Sequence, residues 1–232
     1  MKVIGMLGGT GWSSTIGYYR TINELMHQRL GGHHSAKILL KSIDYHDIVS
    51  NYGHDHTKVS KLLQEELTGL IALKPDCIMI CCNTLHKYYD MIKDELELTI
   101  PVFHAVDLVA KHIKEKRYEK VLLLATKNTM NDGFFAAKLE MSGVQIVTPN
   151  PEEREEMHRI HGQLMQNIVT EDSKNYFAQL IAVRSELNAV ILGCTEYPML
   201  VNTGNSVLPI IDPLYLQAES AVNFALNTLA EC

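Results

Sequence analysis

Apolar residues along this chain fall into short unbroken runs that alternate with longer stretches of helical spacing. Runs at 2–7, 36–43, 77–82, 101–103, 120–125, 144–148, 189–193 and 207–211 are dense in aliphatic residues and predict strands. Residues 16–30, 59–73, 85–96, 105–115, 134–141, 152–168, 173–185 and 216–229 repeat their apolar positions every three or four residues and predict helices. The segment 44–52 reads as irregular or briefly helical. Ser13, Ser14 and Thr15 offer capping hydroxyls to the first helix, and Gly31 and Gly32 stop it. Thr129 offers a similar cap ahead of the helix at 134–141.

Short aliphatic strands separated by helices are the mark of parallel sheets covered on both faces. The expected fold class is therefore α/β, with two similar parallel-sheet lobes. The chain crosses between them near residues 105 and 210. The first lobe is expected to hold 1–104 plus 211–232, and the second 105–210. A weak internal repeat supports a duplicated architecture with sites related by a pseudo-twofold axis. Ile78-Met79-Ile80-Cys81-Cys82-Asn83-Thr84 resembles Val190-Ile191-Leu192-Gly193-Cys194-Thr195-Glu196. Each is an aliphatic strand, then cysteine, then small polar residues, then an expected helix.

The repeat directs attention to the cysteines. Ligands of open parallel sheets bind beyond the carboxyl ends of the strands, where Cys82 and Cys194 lie. A helix beginning just after each, capped by Asn83 or Thr84 in one case and Thr195 in the other, would favour thiolate and attract a carboxylate ligand. The other cysteines read differently. Cys77 packs as a small apolar residue, and Cys81 alternates with Cys82 and points to the opposite face. Cys232 is a chain end. Cys77, Cys81, Cys82 and His86 are near in sequence, but strand alternation separates them and no paired C-x-x-C occurs, so no metal is expected. His86 and His104 read as structural. Gly8-Gly9-Thr10-Gly11 lacks the third glycine of a dinucleotide fingerprint and the Gly-Lys-Ser/Thr of a phosphate loop. It suits a tight turn that lets a small ligand approach the backbone.

Composition narrows the class further. The 232 residues are 46% hydrophobic and 21% charged, ordinary for a globular protein, and the net charge is −6. No long basic run or aromatic–basic pattern suggests nucleic acid. No apolar stretch reaches membrane-spanning length, and the first residues lack the apolar core and cleavage site of a signal peptide. A cytoplasmic location is the resulting expectation, with the cysteines as thiols.

These features together resemble the aspartate/glutamate racemase superfamily, and within it the aspartate racemase branch. The resemblance covers essentially the whole chain. It rests on Gly8-Gly9 followed by Trp12, Cys82-Asn83-Thr84-x-His86, Leu124-Ala125-Thr126-x-x-Thr129-Met130 and Gly193-Cys194-Thr195-Glu196. Glutamate racemases proper begin with an aspartate-serine turn and carry Thr-His after the second cysteine. Here Gly9-Thr10-Gly11 and Thr195-Glu196 favour the aspartate branch.

The resemblance implies an active site in the cleft between the lobes and, often, a homodimer. It implies a cofactor-independent isomerase acting on a small acidic amino acid, aspartate first. Cys82 and Cys194 would stand on opposite faces of the substrate Cα, one removing the α-proton and the other returning one. Without an electron sink, donors around the α-carboxylate must stabilise the developing charge. Asn83, Thr84, Thr126 and Thr195 are the expected donors, with Gly9, Thr10 and Glu196 in support. Glu196 reads equally as a tuner of the thiol or as a solvated carboxylate. A cation for the side-chain carboxylate is expected from the loop 44–56 or from Arg154, Arg159 or His161. The rival activities are a glutamate-accepting racemase, a maleate-type cis–trans isomerase using one cysteine covalently, and a binding protein without turnover.

Overall fold

The computed structural model describes residues 1–227. Its elements are β1 (Ile4–Gly8), α1 (Trp12–Leu30), β2 (Ile38–Ser42), α2 (His46–Val49), α3 (His56–Ile71), β3 (Cys77–Ile80), α4 (Leu85–Ile92), α5 (Ala105–Lys116) and β4 (Lys120–Leu124). There follow α6 (Lys127–Asp132), α7 (Phe134–Glu140), β5 (Gln145–Val147), α8 (Pro151–Leu164), α9 (Glu171–Ala182), β6 (Ala189–Leu192), a 3₁₀ turn (Tyr197–Met199), β7 (Ile210–Ile211) and α10 (Pro213–Leu226). Cys232 and the last residues of the expected closing helix lie outside the described residues. No described helix is long and apolar enough to cross a membrane.

The chain divides into two compact units, Met1–Ala105 with Leu214–Cys232, and Val106–Pro213. In the first, the parallel order is β2-β1-β3. The expected strand at 101–103 is reduced to one parallel bridge, Val102 to Ile78. In the second, the parallel order is β5-β4-β6-β7. The two sheets thus repeat one connectivity, with Val102 in the place that β7 fills. Both lobes are parallel-sheet α/β units.

Strand alternation builds the core of the first unit. Ile4, Met6, Cys77, Met79 and Cys81 pack with Tyr18, Ile22 and Met26 of α1 and Ala218, Ala221 and Val222 of α10. Leu7, Ile78 and Ile80 face the other way, against Val59, Leu63 and Leu67 of α3 and Leu85, Tyr88 and Ile92 of α4. Each fully buried large aliphatic side chain contributes roughly 1.5–3 kcal/mol.

Local hydrogen bonding corrects several expected helix starts. α1 begins at Trp12 with Gly11 at its N-cap and no side-chain cap. The Ser14 and Thr15 hydroxyls lie in its first turn and bond backwards. Ser14 donates to the Gly11 carbonyl at 2.8 Å, and the Thr15 hydroxyl accepts the Gly9 N–H at 2.9 Å. Thr129 does not cap the helix at 134–141. Its own N–H donates to the Thr126 hydroxyl at 3.2 Å, so Thr126 caps the short helix α6. Gly133, at φ 75°, then joins α6 to α7.

One polar cluster crosses this apolar interior. Gln217 of α10 is fully buried. Its carbonyl accepts the Tyr18 hydroxyl at 2.6 Å, and its amide donates to the Phe103 carbonyl at 2.6 Å. The same amide lies 3.3 Å from Nε2 of buried His86, which also accepts the Ala105 N–H at 3.3 Å. These bonds tie α1, α4, α10 and the start of α5 together. Gln217→Leu should keep the volume but leave buried polar partners unsatisfied. We expect a loss of about 2–3 kcal/mol in urea unfolding; an unchanged midpoint would show that the cluster is not stabilising.

Candidate active site

In the first unit the site begins at the β1–α1 turn. Gly9 has φ +88°, and a Cβ there would lie 2.2 Å from the Ile43 carbonyl oxygen. Backbone cannot yield that distance, so the close approach of the turn to β2 requires glycine. Thr10 is buried and donates its hydroxyl to the Cys81 carbonyl at 3.0 Å. The Cys81 N–H donates to the Leu7 carbonyl at 2.9 Å. The ladder therefore continues one residue past β3, and Cys82 emerges immediately beyond it. Cys81 faces the layer with α1, whereas Cys82 packs against the layer with α3.

Of the four described cysteines, Cys82 alone is partly exposed. Its sulfur lies 3.5 Å from the Tyr45 hydroxyl, which in turn hydrogen-bonds the Tyr52 hydroxyl. The Tyr52 ring stacks on Tyr88 at 5.7 Å between centroids and 5° between planes. His56 Nδ1 is 3.1 Å from the Tyr88 hydroxyl. Burial holds the Tyr45 and Tyr52 phenols well above their ordinary range, and the neighbouring Cys82 raises them further. They are neutral hydroxyls at the sulfur. Sequence reasoning named the loop that carries them but not these residues, because an isolated tyrosine has no motif.

Asn83 is buried, and its carbonyl accepts the His86 N–H at 3.3 Å. Thr84 occupies the N-cap position of α4 without a side-chain cap bond. His86 serves the Gln217 cluster, and His104 Nε2 lies 3.4 Å from Asp90 Oδ2, so both histidines have structural partners.

The second unit repeats the backbone plan with different side chains. The Gly193 N–H donates to the Leu124 carbonyl at 2.6 Å, and Cys194 follows as Cys82 follows Cys81. A Cβ on Gly193 would meet Leu123 Cδ1 at 2.9 Å and Ala125 Cβ at 3.0 Å, so glycine lets the strand end pack this closely. Cys194 Sγ donates to Glu196 Oε2 at 3.1 Å, and the Thr195 hydroxyl donates to the same oxygen at 3.0 Å. Glu196 is only 5% exposed, which excludes the solvated-carboxylate reading.

The expected helix after Cys194 is replaced by the three-residue 3₁₀ turn. So short a turn carries no appreciable macrodipole, and a hydrogen-bonded carboxylate, not a helix terminus, is the neighbour of this thiol. The Tyr197 hydroxyl pins the turn by donating to the Ala125 carbonyl at 3.1 Å.

The side-chain candidates separate here. Thr126 bonds the Thr129 N–H and hydroxyl as a helix cap, and Thr195 is engaged with Glu196. Arg154 is held by the Pro149 carbonyl, Asn131 and Thr148. Arg159 pairs with Glu156 on the surface of α8. His161 is the member of that group brought to the cysteine. Donor atoms of His161, Cys194 and Glu196 lie within 4.8 Å of one another. Burial holds the His161 imidazole below its ordinary range; the Glu196 carboxylate opposes this and His158 reinforces it.

The class that this fold defines is a protein of two parallel-sheet α/β units. The Asp/Glu/Hydantoin racemase family matches residues 7–221, and the chain belongs to it. Among individual relatives, the broad specificity amino-acid racemase RacX of Bacillus subtilis is 25% identical over 179 residues, 73% of each chain. A glutamate racemase of Aquifex pyrophilus is 26% identical over 129 residues, 54% of this chain and 48% of the relative, about half its length. PH1733 of Pyrococcus horikoshii, an aspartate racemase homologue, superposes with a TM-score of 0.85 at 29% identity, covering 97% of this chain and 99% of its own.

The thiols should differ in reactivity. Burial pushes the Cys77 thiol up to about 12 and Cys81 higher still, so both stay protonated at pH 8. Timed alkylation with iodoacetamide at pH 8, mapped by mass spectrometry, should label Cys82 first and Cys194 more slowly. Cys77 and Cys81 should remain unlabelled until unfolding. Early labelling of Cys77 or Cys81 would contradict this order.

Proposed function

We propose that this protein is a cofactor-independent amino-acid racemase in which Cys82 and Cys194 form a two-base pair. The carrying observation is positional. Each cysteine stands two residues beyond the corresponding strand, β3 of the three-stranded sheet and β6 of the four-stranded one, after a residue hydrogen-bonded to the neighbouring strand. Membership in a racemase family supports the reaction class.

The surroundings of the two sulfurs support different starting roles. Cys194 donates its proton to a carboxylate and so starts as the acid. We assign Cys82 the starting role of base, because the neutral Tyr45 phenol, 3.5 Å from its sulfur, is placed to donate to a thiolate. Cys82 removes the α-proton from one face of the substrate and Cys194 returns its own from the other. The opposite enantiomer uses the pair with the protons exchanged. Asn83, Thr84 and backbone N–H groups near the strand ends are assigned to the α-carboxylate.

Aspartate is the substrate proposed first, on the likeness to the aspartate racemase homologue. A broader specificity is the second reading. It is favoured by the likeness to RacX and by the engagement of Arg154 and Arg159 with other partners.

Incubation with L-aspartate in D2O should yield D-aspartate carrying an α-deuteron, with glutamate and neutral amino acids run alongside to rank substrates. Absence of α-exchange for every amino acid would overturn the racemase reading, and a stable adduct with maleate would replace it. Cys82→Ser and Cys194→Ser should each abolish racemisation. Tyr45→Phe removes one charge-assisted hydrogen bond of about 1.5–3 kcal/mol. It should lower kcat roughly 10–100-fold with little change in KM. Wild-type kcat in that variant would remove Tyr45 from the mechanism.

A further inference from the structure

We propose that His161, Cys194 and Glu196 form a binding site for a borderline-soft divalent cation, for which Zn2+ is the probe, and that its occupation blocks turnover by engaging the Cys194 sulfur. The blocking half rests on the racemase reading; the binding half does not.

The three residues supply imidazole nitrogen, thiolate sulfur and carboxylate oxygen, the three donor types that zinc takes in proteins. They arise from α8 and from the turn after β6, and their donor atoms already lie within 4.8 Å of one another. Ligands about 2.0–2.3 Å from one tetrahedral ion stand roughly 3.3–3.8 Å apart, so the most separated donors must close by about 1–1.5 Å on binding. Glu196 Oε2 is aimed at the sulfur at 3.1 Å. His161 is the half-buried member, while Cys194 and Glu196 are each 5% exposed.

On binding, the thiol proton passes to solvent and a sulfur–zinc bond takes its place, with no change of oxidation state. Three protein donors leave a fourth position for water or a carboxylate ligand. A sulfur bound in this way can neither give nor take the α-proton. Cys77 and Cys81 belong to the core of the other unit and supply none of these donors.

Metal-free protein titrated with Co2+ should develop a thiolate-to-cobalt charge-transfer band at one equivalent, and Zn2+ should displace it. The band should persist in Cys82→Ser and vanish in Cys194→Ser. Glu196→Gln and His161→Asn should each weaken binding by more than about 10-fold. Circular dichroism of each variant checks that it is folded, and the two milder variants decide the matter if Cys194→Ser is not. A band that survives in Cys194→Ser, or none in the wild type, overturns the site. Zinc should also inhibit racemisation at the concentration that displaces cobalt. Binding without inhibition overturns the blocking role, and binding by a protein that racemises nothing leaves the site standing and removes the racemase reading.

Discussion

The parallel ladder does not end where β3 and β6 end, and the placement of both Cys82 and Cys194 depends on that extension. Cys81 and Gly193 each donate one further backbone hydrogen bond, to Leu7 and Leu124. Those bonds fix the direction in which the chain leaves the sheet. The next residue is the cysteine, displayed at the carboxyl edge where strand alternation turns it away from its predecessor. Glycines at 9 and 193 belong to the same constraint, because each lets backbone approach where a side chain would collide. Thr10 reinforces it in the first unit by holding the Cys81 carbonyl. None of these residues needs to touch substrate to matter.

Upon this shared backbone plan the two units place opposite electrostatics. The sulfur of Cys82 meets a phenol, and that phenol leans on a second one and an aromatic stack. The sulfur of Cys194 meets a buried carboxylate that also holds Thr195. A hydroxyl donor stabilises a thiolate, whereas a carboxylate acceptor retains a thiol. One strand–cysteine plan thus carries two different polar surroundings, and the backbone parts only after the cysteine, into a helix in one unit and a 3₁₀ turn in the other. The carboxylate that accepts the Cys194 thiol hydrogen bond is also a member of the proposed cation site.

The same division separates positioning from contact. Gln217 and His86 use their polar atoms within the core, joining helices that come from both ends of the first unit's sequence. Thr126 caps a helix, and Arg154 fastens the start of α8 to its preceding strand and to α6. Polar residues near a strand end are therefore not all ligands for substrate. The backbone groups freed at every turn and helix start also require partners.

Sequence periodicity was sufficient for the α/β class, the parallel sheets and the repeated strand–cysteine unit. Aliphatic runs and helical spacing are local consequences of which face is buried. The alternation of Cys81 and Cys82 followed from the two-residue period of a strand. Helix starts were less readable: Ser14 and Thr15 bond backwards from inside α1, and Thr126 rather than Thr129 is the cap. A hydroxyl has several backbone partners within reach, and only the turn selects among them. The distant neighbours of the two sulfurs were beyond sequence for a different reason. Tyr45 lies 37 positions from Cys82 along the chain. His161 comes from a helix, α8, that precedes Cys194 by a strand and a further helix. The sequence by itself determined which cysteines follow strands and put Glu196 two residues from Cys194; only the tertiary structure decided that Cys82 faces a phenol, that Glu196 is buried against its thiol and that an imidazole joins them, because long-range packing brings Tyr45 and His161 to the sulfurs.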